Sequence, residues 1–154
     1  MELSALPRPA PRPSEAPRDA VLVLHVEDNP GDRQLIREAI GEAHVDIEVV
    51  HAGNGADALG FLTYATTRRL PTLIMVDLNM PKIGGLEFLA SVKVDERWKD
   101  IPAIVLSSSL SATDHDQALS LGAKAFIPKP TSWDRYLDLA RNIASYAVLT
   151  DHPG

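Results

Sequence analysis

Three short segments of the sequence place charged side chains at the end of apolar runs. Each run is typical of a buried strand, and each charged residue follows at the strand's carboxyl end. In an open parallel sheet those ends share one crevice, where ligands bind. We therefore expect the polar groups of the three segments to meet. The segments are 25–29 (HVEDN), 75–81 (MVDLNMP) and 126–130 (FIPKP).

The side chains that would meet are the carboxylates of Glu27, Asp28 and Asp77 and the amine of Lys129. Carboxylate oxygens are the ligands that Mg²⁺ prefers, and a bound cation makes crowded anions tolerable. A carboxylate beside Mg²⁺ can attack phosphorus and form an aspartyl phosphate. In that chemistry Asp77 attacks, while Mg²⁺, Lys129 and the hydroxyl of Ser107 hold the phosphoryl oxygens. The sequence predicts a divalent-cation and phosphate site.

Each of these residues also has an ordinary structural interpretation. Glu27 and Asp28 are suited to the N-terminus of the following helix, which favours negative charge. Lys129 reads equally as a solvated surface lysine, and Ser107 as a strand-end residue that bonds its own turn. Taken together at neighbouring strand ends, the four residues favour the phosphoryl-accepting site.

Composition limits the other classes of function. The chain has 154 residues, 45% of them hydrophobic, which is enough for one domain with a sizeable core. A formal net charge of −6 argues against nucleic acid as a direct partner. No apolar run approaches a membrane span, and the absence of cysteine excludes disulfides and thiolate metal sites. We expect a cytoplasmic protein with no membrane partner.

The order of apolar patterns predicts five strands that alternate with five helices. Such alternation is typical of an α/β domain with a doubly wound, five-stranded parallel sheet and right-handed crossovers. Asn29 and Pro30 open the first helix, and Gly41 is expected to end it. Pro128 cannot donate to a strand ladder, so we expect the fifth strand to lie at an edge or to have ended before this residue. We expect the domain over residues 20–149.

The segments outside this domain have a different composition. Residues 1–19 alternate prolines with arginines and small residues. Such a segment cannot bury enough apolar surface to offset its ordering entropy, so we expect a disordered tail. The alternative is a proline-rich ligand for a partner. Residues 150–154 are expected to form a short C-terminal tail, with no output domain after it.

The ordered set of motifs resembles the receiver domain of two-component response regulators over residues 20–148. That resemblance implies a flavodoxin-like (βα)5 fold with strand order 2-1-3-4-5. It also implies signalling by a phosphoryl group from a sensor histidine kinase, with only self-phosphorylation and slow self-dephosphorylation as activity. The motifs are an acid pair (Glu27, Asp28), a D-x-x-M-P-x-x-x-G segment (Asp77, Met80, Pro81, Gly85), a hydroxyl (Ser107), and Gly122-Ala123 leading to Phe126 and Lys129-Pro130.

The resemblance assigns roles to individual residues. Asp77 is expected to be the phosphoacceptor, and Lys129 is expected to pair with the phosphoryl group through a cis bond to Pro130. Ser107 and Phe126 are expected to be a switch pair that reshapes the face formed by the fourth helix, fifth strand and fifth helix. The implied Mg²⁺ ligands are Asp28 directly, Glu27 through water, Asp77, and the backbone carbonyl of Asn79. Asn79 and Ser109 would tune dephosphorylation.

The sequence also suggests specific partners for the chain. Segments 26–32, 63–71 and 96–102 resemble stand-alone regulators of bacterial phytochrome-type histidine kinases. Exposed side chains of the first helix would contact the kinase: Arg33, Gln34 and Arg37. The fifth helix carries an apolar stripe (Trp133, Leu137, Ala140, Ala144), with Leu139, Tyr146 and Leu149 outside it. A second apolar face suggests a homodimer through this helix and the adjoining strand.

Two other functions use similar residues. A phosphatase of the haloacid-dehalogenase type also forms an aspartyl phosphate, but it needs an acid/base aspartate two residues after the nucleophile, where this chain has Asn79. A pseudo-receiver would bind partners without phosphorylation, against which the intact Asp77, Asp28 and Lys129 argue. A phosphotransfer role for His115 is a further, disfavoured alternative.

Overall fold

The chain folds around one parallel sheet with helices on both faces. A computed structural model describes residues 21–78, 80, 84–108 and 111–148. The sheet order is β2-β1-β3-β4-β5, with every neighbouring pair parallel, as the resemblance implied. The strands are β1 (Val21–Val26), β2 (Ile47–Ala52), β3 (Leu73–Asp77), β4 (Ala103–Ser107) and β5 (Ala125–Pro128).

In the part of the chain that the structure describes, five helices cover the sheet in two layers. One apolar cluster joins α2, α3 and α4 to one face, and a second joins α1 and α5 to the other. Because both faces are covered, the central strands read as continuous apolar runs, and β3 and β4 are buried at every position. The helices are α1 (Pro30–Ala43), α2 (Gly55–Ala65), α3 (Gly85–Val94), α4 (Ala112–Ser120) and α5 (Trp133–Val148).

The strand register brings the predicted site residues to one edge of the sheet. Val26 pairs with Val76, so Glu27 and Asp77 each follow a paired position on adjacent strands. Asp77 pairs with Leu106, and Ser107 comes next. Ser107 pairs in turn with Pro128, the residue before Lys129. The carboxyl ends of β1, β3, β4 and β5 therefore form one crevice.

Helix ends follow local capping chemistry, with one departure from expectation. Asn29 and Asn54 cap α1 and α2, each side chain accepting the backbone N–H three residues on. The prediction that α1 ends at Gly41 was wrong. The helix continues to Ala43 and ends where His44 adopts a left-handed conformation (φ 56°). Ala43 packs on the α1–α5 cluster, and that packing extends the helix past the glycine.

The predicted stripe of α5 also needs correction. Leu139, expected outside the stripe, is buried, and Ile143 lies at the centre of the contact with 0% exposure. Ala144, expected within the stripe, is half-buried. The wider apolar surface of this helix is therefore used largely inside the chain, against α1 and the sheet.

Some sequence predictions fall outside the described residues. They are the tails 1–19 and 150–154, the carbonyl of Asn79, Ser109, and Leu149. Across the described ranges, none of the helices is both long and apolar enough to cross a membrane.

Candidate functional site

Three carboxylates converge at the crevice, as the sequence predicts. Oxygen atoms of Glu27, Asp28 and Asp77 lie within 4.8 Å of one another. Glu27 and Asp77 are 1% and 4% exposed, whereas Asp28 is exposed. Buried like charges at this spacing repel unless a cation compensates them. Among the described residues, the donor atoms of this cluster are carboxylate oxygens, and the exposed Asp28 opens it to solvent, which fits Mg²⁺ because that ion keeps several waters.

Glu27 is held in place by the turn that follows β1. The backbone N–H of Asn29 donates to Glu27 Oε2 (3.2 Å), and the N–H of Glu27 itself continues the ladder to Ala52 O (2.9 Å). Burial raises the pKa of Glu27 to about 7; the charge of Asp77 adds to the rise, while the hydrogen bond from Lys129 opposes it. The protonated form of Glu27 is therefore favoured more than that of an ordinary glutamate.

Lys129 joins the carboxylates from the other side of the crevice. Its Nζ lies 3.0 Å from Glu27 Oε1, 3.3 Å from Asp77 Oδ2 and 2.9 Å from Asp32 Oδ2. Burial alone lowers the pKa of Lys129, but hydrogen bonds to Asp32 and Glu27 and the charge of Asp77 outweigh it, so the net pKa is raised. The lysine is a fixed cation.

The lysine's backbone is held by the sheet. Its N–H donates to the carbonyl of Ser107 (3.0 Å). The expected cis bond between Lys129 and Pro130 is not found: the described residues contain no cis peptide, and this bond is trans. Trans is the lower-energy isomer of a bond before proline.

Sequence reasoning missed Asp32 as a member of the site. Asp32 lies in the first turn of α1, where an acidic residue is explained by the helix dipole alone. Its N–H is fixed by the cap residue Asn29 (3.0 Å), and its carboxylate makes the shortest of the three contacts to Lys129. Only the predicted topology could have indicated Asp32, because α1 begins at the edge of the sheet where the crevice lies.

The first residue of α3, Gly85, packs against the end of β3. A Cβ atom on Gly85 would lie 2.3 Å from the carbonyl oxygen of Asp77 and 2.6 Å from the Cα of Leu78. The N–H of Gly85 donates to Leu78 O (3.1 Å). Only glycine permits this approach, which fixes the backbone of the candidate nucleophile.

The expected switch pair sits on two adjacent strands. Ser107 is fully buried at the end of β4. Phe126, on β5, is half-buried, and its ring meets His115 of α4 edge-on at 5.1 Å between centroids. This contact joins the aromatic residue to the helix that the resemblance makes part of the signalling face.

Two histidines lie beneath the carboxylates without joining them. His25 and His51 pair across β1 and β2, with their Nδ1 atoms 3.2 Å apart. Burial lowers the pKa of His25 to about 3 and that of His51 to about 4, and nearby positive charge adds to both shifts. His25 is therefore a buried core residue whose ring nitrogen has a partner in His51.

The expected kinase-facing side chains of α1 are only partly exposed. Gln34 and Arg37 are exposed, but Arg33 is half-buried and donates from Nη1 to the carbonyl of Glu27 (3.2 Å). Arg33 therefore also supports the turn that carries two of the carboxylates.

Comparisons with known proteins agree with this geometry. Residues 23–141 match the family model described as the response regulator receiver domain. Response regulator Rcp1 of Synechocystis sp. is 30% identical over 133 residues, which span 84% of this chain and 90% of that protein.

Solved structures resemble the whole fold. The phosphorylated cyanobacterial phytochrome response regulator RcpA gives a TM-score of 0.75 at 34% identity, covering 85% of this chain and 96% of that one. The Mn²⁺-bound form of Rcp1 gives 0.72 at 29% identity, covering 81% and 92%. The acid crevice, the strand order and the matched segment lead to one conclusion: this chain belongs to the response regulator receiver domain family of two-component signalling proteins.

Proposed function

We propose that the chain accepts a phosphoryl group on Asp77 from a sensor histidine kinase, with Mg²⁺ as the required cofactor. The observation that carries this proposal is the position of Asp77, close to two other carboxylates and to a lysine cation. A nucleophile in that position has carboxylates nearby that could hold a metal and a positive group nearby for phosphoryl oxygens.

The proposed transfer needs little covalent help from the protein. A carboxylate oxygen of Asp77 forms a bond to phosphorus as the bond from phosphorus to the donor histidine nitrogen breaks. Lys129 stabilises the charge on the transferring oxygens, and the hydroxyl of Ser107 donates to another. Glu27, Asp28, Asp77 and the carbonyl of Asn79 would hold Mg²⁺, which when bound neutralises charge on the phosphoryl oxygens.

The proposed output is a rearrangement of the face formed by α4, β5 and α5. Ser107 moves towards the phosphoryl group, and Phe126 turns inward into the space that it leaves. The edge-on contact between Phe126 and His115 supports this route, because a turn of the ring breaks a contact with α4. In this account the phosphorylated face is what a downstream partner recognises.

The proposed donor is a phytochrome-type histidine kinase. Support comes from the relatives, since RcpA is described as a phytochrome response regulator and aligns over 85% of this chain. The exposed side chains of Gln34 and Arg37 on α1, with the half-buried Arg33, are the proposed contacts.

A homodimer through α5 and β5 is part of the proposal, although fewer apolar side chains of α5 support it than its sequence pattern suggested. Leu139 is used within the chain, but Tyr146 remains half-exposed beside β5. Sedimentation at tens of micromolar, with and without beryllofluoride, tests it. Dimer in either condition supports this part of the proposal, and monomer in both contradicts it.

Incubation with Mg²⁺ and acetyl phosphate separates the proposed function from its rivals. The chain should gain one base-labile phosphoryl group that is lost slowly, and Asp77→Asn should gain none. Continuous release of phosphate would instead indicate a phosphatase, and no reaction would indicate a pseudo-receiver. Asp57→Asn is the matched control, because it removes a carboxylate from α2 that bonds only Asn54 among the hydrogen bonds found for its side chain.

A further inference from the structure

The ammonium group of Lys129 is saturated by three carboxylates. It has three N–H donors, and oxygens of Asp32, Glu27 and Asp77 lie at 2.9, 3.0 and 3.3 Å. Two of these acceptors, Glu27 and Asp77, also belong to the three-carboxylate cluster that fits a cation. Lys129 and a metal ion therefore compete for the same two side chains.

Asp32 is the exception among the three acceptors. It lies outside the cation cluster, yet it makes the shortest contact to the lysine. It is also the most exposed of the three, at 30% for its side chain, while the lysine itself is 19% exposed. Its position is fixed from below, because the cap residue Asn29 accepts its backbone N–H.

We propose that Asp32 is a positioning residue that holds Lys129 while Glu27 and Asp77 turn to the metal. This inference rests on the proposed function, since it concerns the same cation site. With Asp32 present, the lysine keeps a charged partner after it gives up the other two. Without Asp32, the lysine stays on Glu27 and Asp77, and the cation must displace it at a greater cost.

The direct test is to titrate the full chain with Mg²⁺, without any phosphodonor, and to monitor binding by the chemical shifts of the backbone amides in NMR spectra. Asp32→Asn should weaken Mg²⁺ binding about tenfold, the scale of one redistributed hydrogen bond to a charged group. Asp32→Glu should recover part of that loss. Unfolding midpoints measured without metal show whether each variant is folded.

A matched control separates this effect from simple loss of charge. Asp57 occupies the same position in α2 that Asp32 occupies in α1, and Asn54 caps it in the same way. Its carboxylate accepts from Asn54 Nδ2 (3.2 Å). Asp57→Asn should therefore change Mg²⁺ affinity by less than about twofold. An equal loss in both variants would mean that Asp32 acts only through net charge and would overturn the proposal.

A double-mutant cycle tests whether Asp32 acts through the lysine. In a Lys129→Met background, Asp32→Asn should alter Mg²⁺ affinity by less than about twofold, because the competing cation is gone. A tenfold loss that persists there would make Asp32 a metal ligand and overturn the proposal. Unchanged affinity for Asp32→Asn in the natural background would also overturn it. If the natural chain bound no Mg²⁺, the proposed function itself would fall.

Discussion

The proposed cation site should respond to pH through Glu27. Because burial raises the pKa of Glu27 to about 7, a cation that binds near neutral pH must displace a proton from this carboxyl group. Apparent Mg²⁺ affinity should therefore fall as the pH drops below 7, by up to about tenfold per pH unit, and level off above it. Titrations between about pH 5 and 8 check this.

The variant Glu27→Gln provides the control for that dependence. It cannot ionise, so its weaker Mg²⁺ affinity should be nearly flat over the same range. The pH dependence of folding stability has the opposite sign from that of Mg²⁺ binding: a rise in pH should strengthen binding but reduce the contribution of Glu27 to stability. A carboxyl group with a raised folded pKa contributes stability below about 4.5 that is lost as the pH rises through 7. A flat profile in the natural chain would contradict this role for Glu27.

Gly85 controls the backbone of Asp77. Gly85→Ala places a methyl group 2.3 Å from the Asp77 carbonyl, so the strand end must move. We expect a loss of about 1–3 kcal/mol in unfolding free energy, together with weaker Mg²⁺ binding. Gly41→Ala is the matched control, since nothing lies within 4 Å of its Cβ position inside α1, and it should stabilise by about 0.5–1 kcal/mol. Equal effects at both glycines would contradict the close approach.

The site residues that follow strands could be predicted from the sequence, whereas the site residue in the first turn of a helix could not. Glu27, Asp77, Ser107 and Lys129 each follow a strand, and parallel register aligns strand ends whatever the side chains are. Asp32 lies at the site because of the direction in which α1 runs from the crevice. The sequence pattern predicts a helix there, but it does not predict the direction of that helix.

Helix α5 shows where periodicity misleads. The apolar stripe predicted for it omitted Leu139, which proves to be buried, because the helix packs on both α1 and the sheet and so needs a wider face. Leu139→Ala should lower the unfolding free energy by about 2–4 kcal/mol. Denaturant unfolding measures it.

Leu119 offers the control for that change. It is also a helical leucine but is 42% exposed on α4, so Leu119→Ala should cost no more than about 0.5 kcal/mol. A small loss of unfolding free energy for Leu139→Ala would mean that this side chain leaves the core readily. Leu139 would then be available for a docking surface on α5, as its sequence pattern suggested.

The fold as a whole followed from alternation, and its connectivity from the family resemblance. Five apolar runs separated by helical patterns favour an α/β fold with a parallel sheet, here a doubly wound one. The strand order depends on which neighbours pair, and the residues alone do not fix it. The bond before Pro130 is trans, the ordinary isomer of a bond to proline, and α1 extends past Gly41 to Ala43, which packs on the α1–α5 cluster.

The stability of the whole domain should depend on the pair of His25 and His51. Both have folded pKa values, about 3 and about 4, below the ordinary 6.5, so the unfolded chain takes up protons first as the pH falls. Their contribution is present above 6.5 and is lost as the pH decreases towards 4. Glu27 acts in the opposite direction between about 7 and 4.5.

Replacing both histidines isolates their share. In metal-free buffer, the double variant His25→Leu/His51→Leu should lose less stability than the natural chain between pH 6.5 and 4, whatever its stability at neutral pH. Urea unfolding at several pH values provides the comparison. Parallel profiles for the two proteins would show that the buried pair does not govern acid sensitivity.

The central claim is that Asp77 is the residue that receives the phosphoryl group. The most direct measurement is reduction of the phosphorylated chain with borohydride, which converts an aspartyl phosphate to homoserine, followed by peptide mass spectrometry. We expect homoserine at position 77 only, formed only when both Mg²⁺ and a phosphodonor are present. Homoserine at another carboxylate, or none at any position, would contradict the account.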